Sequence, residues 1–426
     1  MAPVQAFAAA LSEHPDTAQA VGEAVGQVAD ALRPDTPGQG LPSDTTSPDL
    51  ALLFVTPTHA DQLEQAAEVV RATLSPSVLI GCSAESVVGT GREVEQGPAL
   101  CLWAGKVGQV SPFSLEPFPG ELGPSLSHPA TGEVAPGGPV GWPGPLPFEP
   151  RAVLLLADPY SFPVDQLLRF LEDAHPGLPV IGGLAQGGPG PTHTRLLAGD
   201  SVRRNGAVGA LLGEGVEVAP LVSQGCRPIG HPLVVTKAEG NVIYELAGHS
   251  ALDRLLELAE SGQLSPEELL AINRGGLHVG RVIDEHKDSF GQGDFLIRNV
   301  IGADRDQGAI AVSEVVEIGT TFQYHLRDAE TADEELRNLL DGQSAGAALL
   351  FTCNGRGTRM FGHPHHDATA LSDALGEIPV AGFFAAGELG PVGGRNFVHG
   401  FTASVALLGK DGDSVAPLQE PIKEDE

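Results

Sequence analysis

The sequence has few cysteines, and they follow no pairing pattern. Four occur in 426 residues, at positions 82, 101, 226 and 353, and none forms a C-x-x-C pair. This density does not support a disulfide framework, and the spacing supports no cysteine zinc site. Long apolar runs are missing too. No stretch of about 18 apolar residues is present, which excludes an ordinary membrane-spanning helix.

Basic residues are also scarce. Lys and Arg total 24 against 55 Asp and Glu, which gives a formal net charge of −31. A surface this acidic repels the phosphates of nucleic acids and anionic lipids, so we expect neither as a partner. The first ten residues have no basic segment before their apolar stretch, which is unlike a signal peptide. We therefore expect a cytoplasmic protein.

Aromatic residues make up only 5% of the chain, whereas the hydrophobic fraction is 42%. The core is therefore expected to be built mainly from Val, Leu, Ile and Ala. A chain of 426 residues is too long for one ordinary domain and suggests two or three. The 55 glycines and 35 prolines exceed average usage and predict many turns.

One pattern of elements recurs three times: an apolar strand, a helix, a short strand, and then glycine with small residues. The strand pairs are predicted at 49–55 and 77–80, at 152–156 and 179–181, and at 345–351 and 378–380. A strand, a helix and a strand of this length indicate a βαβ unit with parallel strands. The repetition predicts related sheet units, organised as two similar halves.

The fold class predicted is α/β in the mixed α+β sense, with two related sheet-and-helix halves and both parallel and antiparallel strands. Residues 111–150 contain 11 prolines and 7 glycines, which predicts a disordered insert. The expected parts are a helical segment at 1–33, a first domain at 34–228 that carries this insert, a second domain at 229–410, and an acidic tail at 411–426.

The first candidate site follows the strand at 77–80. Its residues are Gly81, Cys82, Ser83, Glu85 and Arg92. Ligands bind beyond the carboxyl ends of parallel strands, and glycine lets a ligand approach the backbone. Arg92 could pair with a carboxylate, and Cys82 could be a nucleophile if its pKa were lowered. The alternative is a turn with an inert, buried cysteine.

The second candidate site is the glycine-rich loop after the strand at 345–351. It carries Cys353, Asn354 and Arg356. Arg356 is expected to contribute a charged hydrogen bond to the ligand.

A histidine-rich run follows this loop. Its residues are His363, His365, His366 and Asp367. Imidazole and carboxylate ligands suit zinc, copper or iron, but the spacing matches no recognised metal-binding pattern. The run is therefore a weak metal candidate, and a surface cluster that binds nothing is the alternative.

The third candidate site lies in residues 382–400, where glycine is dense. Its polar residues are Glu388, Arg395, Asn396 and His399. A zwitterion such as an amino acid needs a cation for its carboxylate and an acid for its ammonium group, and this loop offers both. The alternative is a set of tight turns that pack against a neighbouring strand.

Several of these segments resemble one known family. GCSAES with REVEQGPAL resembles the N-terminal FIST domain, named for F-box and intracellular signal transduction proteins. GCRPIG, TKAEGNVIYELAG, LFTCNGRG and GFFAAGELGPVGGRNFVHGFTAS resemble the C-terminal FIST domain. The resemblance covers roughly residues 40 to 410 apart from the insert. It implies a stand-alone bacterial sensory protein of signal transduction that binds small ligands such as amino acids.

A second function stays open from the residues alone. A cysteine-dependent hydrolase or acyl transferase would use Cys82 or Cys353, with His363, His365 or His399 as the base. The sequence identifies no cofactor. A small-molecule ligand is the expected partner, and a protein partner or a homo-oligomer remains open.

Overall fold

The computed structural model describes residues 7–33, 47–117, 139–143, 145–287, 289–291 and 293–410. The chain divides into two compact units. The larger comprises Met1–Val222 with Arg337–Glu426, and the smaller comprises Ser223–Leu336. The smaller unit is therefore inserted in the chain between the two segments of the larger one. The mixed α+β class is confirmed.

The larger unit contains the same succession of elements three times. The first repeat consists of β1 (Phe7–Ser12), α1 (Thr17–Ala31), β2 (Leu50–Val55), a 3-10 helix (Pro57–Gln62), α2 (Leu63–Leu74), β3 (Val78–Ser83), β4 (Val87–Gly89), β5 (Arg92–Val94) and β6 (Leu100–Gly105). The second consists of β7 (Val110–Leu115), β8 (Ala152–Ala157), α3 (Val164–Ala174), β9 (Val180–Leu184), β10 (Leu196–Ala198), β11 (Ser201–Arg203) and β12 (Ala207–Leu212).

The third repeat is interrupted along the chain by the smaller unit. It starts with β13 (Val216–Ser223). The next elements are β14 (Cys226–Glu239), β15 (Val242–Leu246), β16 (His249–Ser250), α4 (Ala251–Glu260), α5 (Pro266–Ala271), a π-helix (Ile272–Gly276), β17 (Leu277–Val282), β18 (Phe295–Asp304), β19 (Ala309–Val312), β20 (Thr321–Arg327) and α6 (Ala329–Leu340). The repeat ends with β21 (Ala347–Cys353), α7 (Thr358–Phe361), α8 (His366–Leu375), β22 (Val380–Ala385), β23 (Glu388–Val392), β24 (Arg395–His399) and β25 (Ala403–Lys410).

Each repeat has a parallel strand pair in which a leucine lies opposite a glycine. The pairs are Leu53–Gly81, Leu155–Gly182 and Leu350–Gly382. A Cβ atom on these glycines would lie 2.0, 2.0 and 1.7 Å from the carbonyl oxygen of the opposite leucine. The close approach of the two backbones therefore requires glycine at the same place in every repeat.

Each repeat contributes a hairpin to the sheet of another repeat. The β4–β5 hairpin pairs with β22, the β10–β11 hairpin with β3, and the β23–β24 hairpin with β9. The antiparallel strands β6, β12 and β25 complete the sheets, with β1, β7 and β13 beside them. The three sheets are thus linked in a cycle, and each is completed by a segment from a different repeat.

The first strands of two repeats differ from the sequence expectation. Phe7–Ser12, expected to be helical, is a strand because it pairs with β6 and buries alternate side chains on two faces. Residues 111–115, expected in the insert, belong to β7, where Phe113 and Leu115 are buried. Residues 118–138 of the predicted insert, and the tail at 411–426, lie outside the described residues.

The smaller unit is a closed barrel of six antiparallel strands in the order β14, β20, β17, β18, β19 and β15, and β14 pairs again with β15. Its interior is apolar and includes Val279, Ile310, Phe322 and Leu326. The α5 helix starts with a capping box, in which Ser265 and Glu268 each bond the other's backbone amide. None of the helices in the described parts of either unit has the length and apolarity needed to cross a membrane.

Candidate functional site

The three repeats share one turn at the end of their first parallel strand. In each, a backbone amide donates a hydrogen bond to the carbonyl three residues earlier. The pairs are His59 to Thr56 at 3.0 Å, Ser161 to Asp158 at 3.4 Å, and Arg356 to Cys353 at 2.8 Å. Arg356 therefore occupies the place of a histidine and a serine in the other two repeats, and only the third repeat puts a permanent cation there.

Arg356 is fully buried and paired with Asp367 from the first turn of α8. Its Nε and Nη2 atoms donate to the two carboxylate oxygens at 2.8 and 2.7 Å. Asp367 also accepts from the Thr352 hydroxyl at 2.6 Å, and His366 Nδ1 lies 2.9 Å from its Oδ1. Burial opposes ionisation, but these partners, the guanidinium above all, hold the pKa of Asp367 well below its usual range.

Aromatic rings cover this ion pair. The Phe361 ring stacks on His366 with the centroids 3.3 Å apart and an interplanar angle of 4°. The Arg356 guanidinium carbon lies 5.2 Å from the Phe361 centroid, within the range of a cation–π contact. Phe361 belongs to the segment between β21 and α8, so this short segment both contains and covers the arginine.

Glu93 reaches the same place from the β4–β5 hairpin of the first repeat. It is buried, and its Oε1 accepts from the Ala368 amide at 2.9 Å at the N-terminus of α8. Burial, followed by the charges of Asp367 and Glu95, raises the pKa of Glu93 to about 8 against the opposing effects of that amide and Arg356. Glu93 is thus protonated near neutral pH.

Glu388, the first residue of β23, is fully buried. Its Oε2 accepts from the Thr402 amide at 3.0 Å and from the Thr402 hydroxyl at 2.8 Å. Burial raises the pKa of Glu388 to about 8, although the Thr402 bonds, the Arg356 charge and the Cys353 thiol lower it. Two acids on different repeats therefore keep their protons beside the same guanidinium. Arg356, Asp367, Glu93 and Glu388 are called the Arg356 cluster below.

The internal repeats show what these two acids replace. Strand register identifies the equivalent positions in the other two hairpins. They are Val202 and Val398 for Glu93, and Val87 and Leu196 for Glu388. Aliphatic residues therefore suit both positions in this fold. Burying carboxyl groups there costs free energy, and groups with strongly shifted pKa values are typical of functional sites.

The raised pKa of Glu388 predicts a specific pH dependence of stability. Its folded-state pKa of about 8 lies above the ordinary value of 4.5, so the folded protein holds a proton that the unfolded chain releases. This stabilisation is complete below about pH 4.5 and is lost as the pH rises to about 8. Glu388→Gln cannot ionise at this position, so the loss of unfolding free energy between pH 5 and pH 8, measured by urea denaturation, should be smaller in this variant than in wild type by about 1 kcal/mol or more. The same pH dependence in wild type, Glu388→Gln and the exposed control Glu68→Gln would contradict the assignment.

The first predicted site is divided in the structure between β3, the loop that follows it, and β5, which also carries Glu93. Gly81, Cys82 and Ser83 lie in β3, and the Ser83 hydroxyl accepts from the Arg195 amide at 2.9 Å. Glu85 is half-buried in the loop that follows β3. Burial raises the pKa of the Cys82 thiol well above its usual range, which disfavours the thiolate of the hydrolase alternative.

The predicted ligand-binding arginines are all paired within the protein. The pairs are Arg356 with Asp367, Arg92 with Glu13, and Arg395 with Glu172 at 3.6 Å. Arg92 and Arg395 are exposed, so they form surface pairs outside the cluster.

The remaining residues of the third predicted site hold the backbone in place. The Asn396 side chain accepts from the Val180 amide and donates to the Leu178 carbonyl, both at 2.8 Å. His399 Nε2 lies 2.9 Å from the Gly390 carbonyl oxygen. These contacts fix the β23–β24 hairpin beside the second repeat and bring Glu388 to its position.

The histidine run is divided between surface and interior. His363 is exposed, His365 Nδ1 accepts from the Glu93 amide at 3.0 Å, and His366 contacts Asp367. Among the residues that the structure describes, no three His, Cys, Asp or Glu side chains are grouped to hold a metal ion.

The structure therefore brings together Cys353, Arg356, Glu388 and Asp367 from the sequence candidates. Asn354 is half-buried beside them, and its backbone N–H donates a hydrogen bond to the Ala385 carbonyl oxygen at 2.9 Å. Glu93 was missed, because a charged residue in a three-residue strand gives no signal in the sequence. Only the register between repeats shows that its position is otherwise aliphatic.

The smaller unit has a separate pocket of about 600 Å³ between β14, α5, β20 and the start of α6. Its lining includes Glu267, Glu268, Asp328, Glu330 and Glu334. Arg227, also in the lining, pairs with Glu268 and lies 3.7 Å from Asp328. Carboxylates thus outnumber the single cation.

Comparison with known proteins gives consistent matches along the chain. A model of the FIST N domain matches residues 49–249, and a model of the FIST C domain matches residues 251–391. The uncharacterized protein Mb0898c of Mycobacterium bovis is 40% identical over 407 residues, which cover 93% of this chain and 97% of that protein. The uncharacterized protein Rv0628c of Mycobacterium tuberculosis is 41% identical over 407 residues, which cover 93% of this chain and 98% of that protein.

Proposed function

The chain belongs to the FIST family, and from this membership we propose that it is a sensory protein that binds a small ligand at the Arg356 cluster. FIST domains are associated with sensory roles in signal transduction. The proposal places this activity in the cytoplasm and names amino acids or related small metabolites as the ligands. The ligand is bound and released rather than converted.

One observation carries the proposal: two carboxyl groups are buried at positions where the other repeats place aliphatic residues. Burying a polar group without full hydrogen bonding costs on the order of 1–3 kcal/mol. Stability alone would favour valine or leucine at both positions. A ligand that pairs with these groups would offset the cost. Ligand binding would therefore explain why buried acids occupy both positions.

The position of the cluster also suits a sensor. Glu93 belongs to the first repeat, whereas Asp367 and Glu388 belong to the third. A ligand that contacts both would favour one arrangement of the two repeats over another, and such a population shift is how a bound ligand produces a signal. The size of the shift is set by the difference in affinity for the two arrangements.

A thermal-shift screen with the twenty amino acids, their amines and their carboxylic acids tests the proposal. A ligand at about a hundred times its Kd adds roughly 2.7 kcal/mol of stability, which raises the melting temperature of a chain this size by a few degrees. We expect stabilisation by one chemical class. A flat screen with folded wild-type protein at millimolar concentrations would contradict ligand sensing.

Variants then locate the site. Glu388→Gln should weaken binding by more than about 1 kcal/mol, as expected for loss of a charged hydrogen bond. Arg395→Ala, which removes an exposed side chain, should leave the affinity unchanged. The opposite result, with binding lost in Arg395→Ala and kept in Glu388→Gln, would move the site to the glycine-rich hairpin.

A further inference from the structure

The arginines that could have received a ligand carboxylate are already engaged. The Nε and Nη2 atoms of the buried Arg356 guanidinium hold the two carboxylate oxygens of Asp367. The Arg356 cluster contains this one cation, paired with Asp367, and two further buried acids, so its excess of acids suits a hydrogen-bond donor better than an anion.

Three buried oxygen atoms around this arginine lack a donor. They are Glu93 Oε2, Glu388 Oε1 and Asn354 Oδ1, none of which accepts a hydrogen bond from the described residues. The two glutamates are at most 2% exposed. Each has one oxygen fixed by protein donors, Ala368 for Glu93 and Thr402 for Glu388, so each can offer its second oxygen to a ligand.

The charges of the cluster are unbalanced. One guanidinium faces three carboxyl groups, and Asp367 alone already neutralises it. Burial raises the pKa of each of the other two acids, Glu93 and Glu388, to about 8, so they retain protons near neutral pH. A cationic ligand would supply the missing charge and let one of them ionise.

An ammonium group fits these features better than a metal ion does. A primary ammonium donates three hydrogen bonds and accepts none, which suits a site whose unpartnered oxygens are acceptors. Calcium needs six to eight oxygen ligands, and the described residues contain no group of metal-binding side chains. The covering segment between β21 and α8 exposes Thr358, Arg359 and His363 to solvent.

We propose that the Arg356 cluster binds the protonated amine of its ligand, with Glu388 and Glu93 as the acids that receive it. This inference rests on the proposed function and deepens it. At neutral pH the acid that pairs with the ammonium group releases its proton to the solvent, so binding is coupled to the release of up to one proton for each acid that ionises. The ligand's own carboxylate, if it has one, is not the group recognised here.

Isothermal titration of the full-length protein with matched compounds tests the proposal. One set is alanine, ethylamine and propionate, and a larger set is leucine, 3-methylbutylamine and 4-methylpentanoate. In each set the second compound lacks the carboxylate and the third lacks the amine. We expect the amines to bind within about tenfold of the amino acids, and the acids to bind at least tenfold more weakly.

The same titrations at pH 7 in two buffers of different ionisation enthalpy measure the released proton. Wild type should show a buffer-dependent enthalpy, and Glu388→Gln should lose most of it together with at least tenfold in affinity. Glu93→Gln provides a second variant should Glu388→Gln fold poorly, and Glu68→Gln on the exposed face of α2 is the matched control.

The outcomes separate the two levels of the argument. Tight binding of the acids with weak binding of the amines would overturn the amine assignment and leave the sensory proposal standing. Binding of amines without proton release, or unchanged in both glutamate variants, would place the amine at another site and overturn the assignment as well. Failure of every compound to bind would overturn both proposals.

Discussion

Arg356→Met is expected to lower the free energy of unfolding by about 3–5 kcal/mol. The substitution keeps an unbranched side chain but leaves Asp367, which is 1% exposed, buried without a counter-charge. The Thr352 hydroxyl and His366 would still hold the Asp367 carboxylate, but the two charged hydrogen bonds at 2.7 and 2.8 Å would be lost. Urea unfolding followed by fluorescence or circular dichroism measures the change.

Arg395→Met is the control for this prediction. Arg395 pairs with Glu172 at 3.6 Å and its side chain is 58% exposed, and exposed ion pairs contribute about 0–1 kcal/mol. The double variant Arg356→Met with Asp367→Leu removes both charges and should recover much of the lost stability. A loss of less than about 1 kcal/mol in Arg356→Met would show that the pair is not held in a buried environment.

Gly382→Ala is expected to be at least as damaging. The added Cβ would lie 1.7 Å from the Leu350 carbonyl oxygen, and this neighbour is backbone in the adjacent strand of the same parallel pair. No side-chain rotation relieves the clash, so β21 and β22 must separate. We expect a loss above about 4–5 kcal/mol, or no soluble folded protein.

The same substitution elsewhere should have the opposite effect. Gly22 lies within α1, and a Cβ there would meet nothing within 4 Å. Gly22→Ala should therefore stabilise the protein by about 0.5–1 kcal/mol, because alanine loses less backbone entropy than glycine in a helix. Soluble yield and thermal unfolding of the two variants measure both effects. A well-folded Gly382→Ala variant with wild-type stability would contradict the parallel pairing of β21 with β22.

The βαβ segments of the larger unit could be predicted from the sequence because their signals are local. An apolar run such as Leu50–Val55 is buried along its whole length, and the glycine at the end of each unit follows from the close backbone approach. The arrangement of the hairpins could not be predicted in this way. Which strand β4 pairs with depends on partners that lie far apart in sequence, and no local pattern encodes that choice.

The candidate site was partly predictable for the same reason. Cys353 and Arg356 lie at a strand end, a position that the sequence identifies because ligands bind there in parallel sheets, and the structure places both near Glu388. Arg356 was expected to contact a ligand, but its Nε and Nη2 atoms bind Asp367, which lies eleven positions later in the first turn of α8. Glu93 required knowledge of the fold, since it enters the cluster from another repeat.

The cyclic exchange of hairpins has a consequence for how the chain folds during synthesis. The hydrogen bond from the Val380 amide to the Thr90 hydroxyl joins residues 290 positions apart, so the β4–β5 hairpin is made long before the strand that it completes. Until β22 has left the ribosome, the apolar Val87 and Val88 and a free strand edge stay without their native partner. Contacts of such long sequence separation slow folding, and exposed strand edges favour aggregation. A chain truncated within the third repeat before β22 should therefore leave the β4 edge unpaired and Val87 and Val88 exposed.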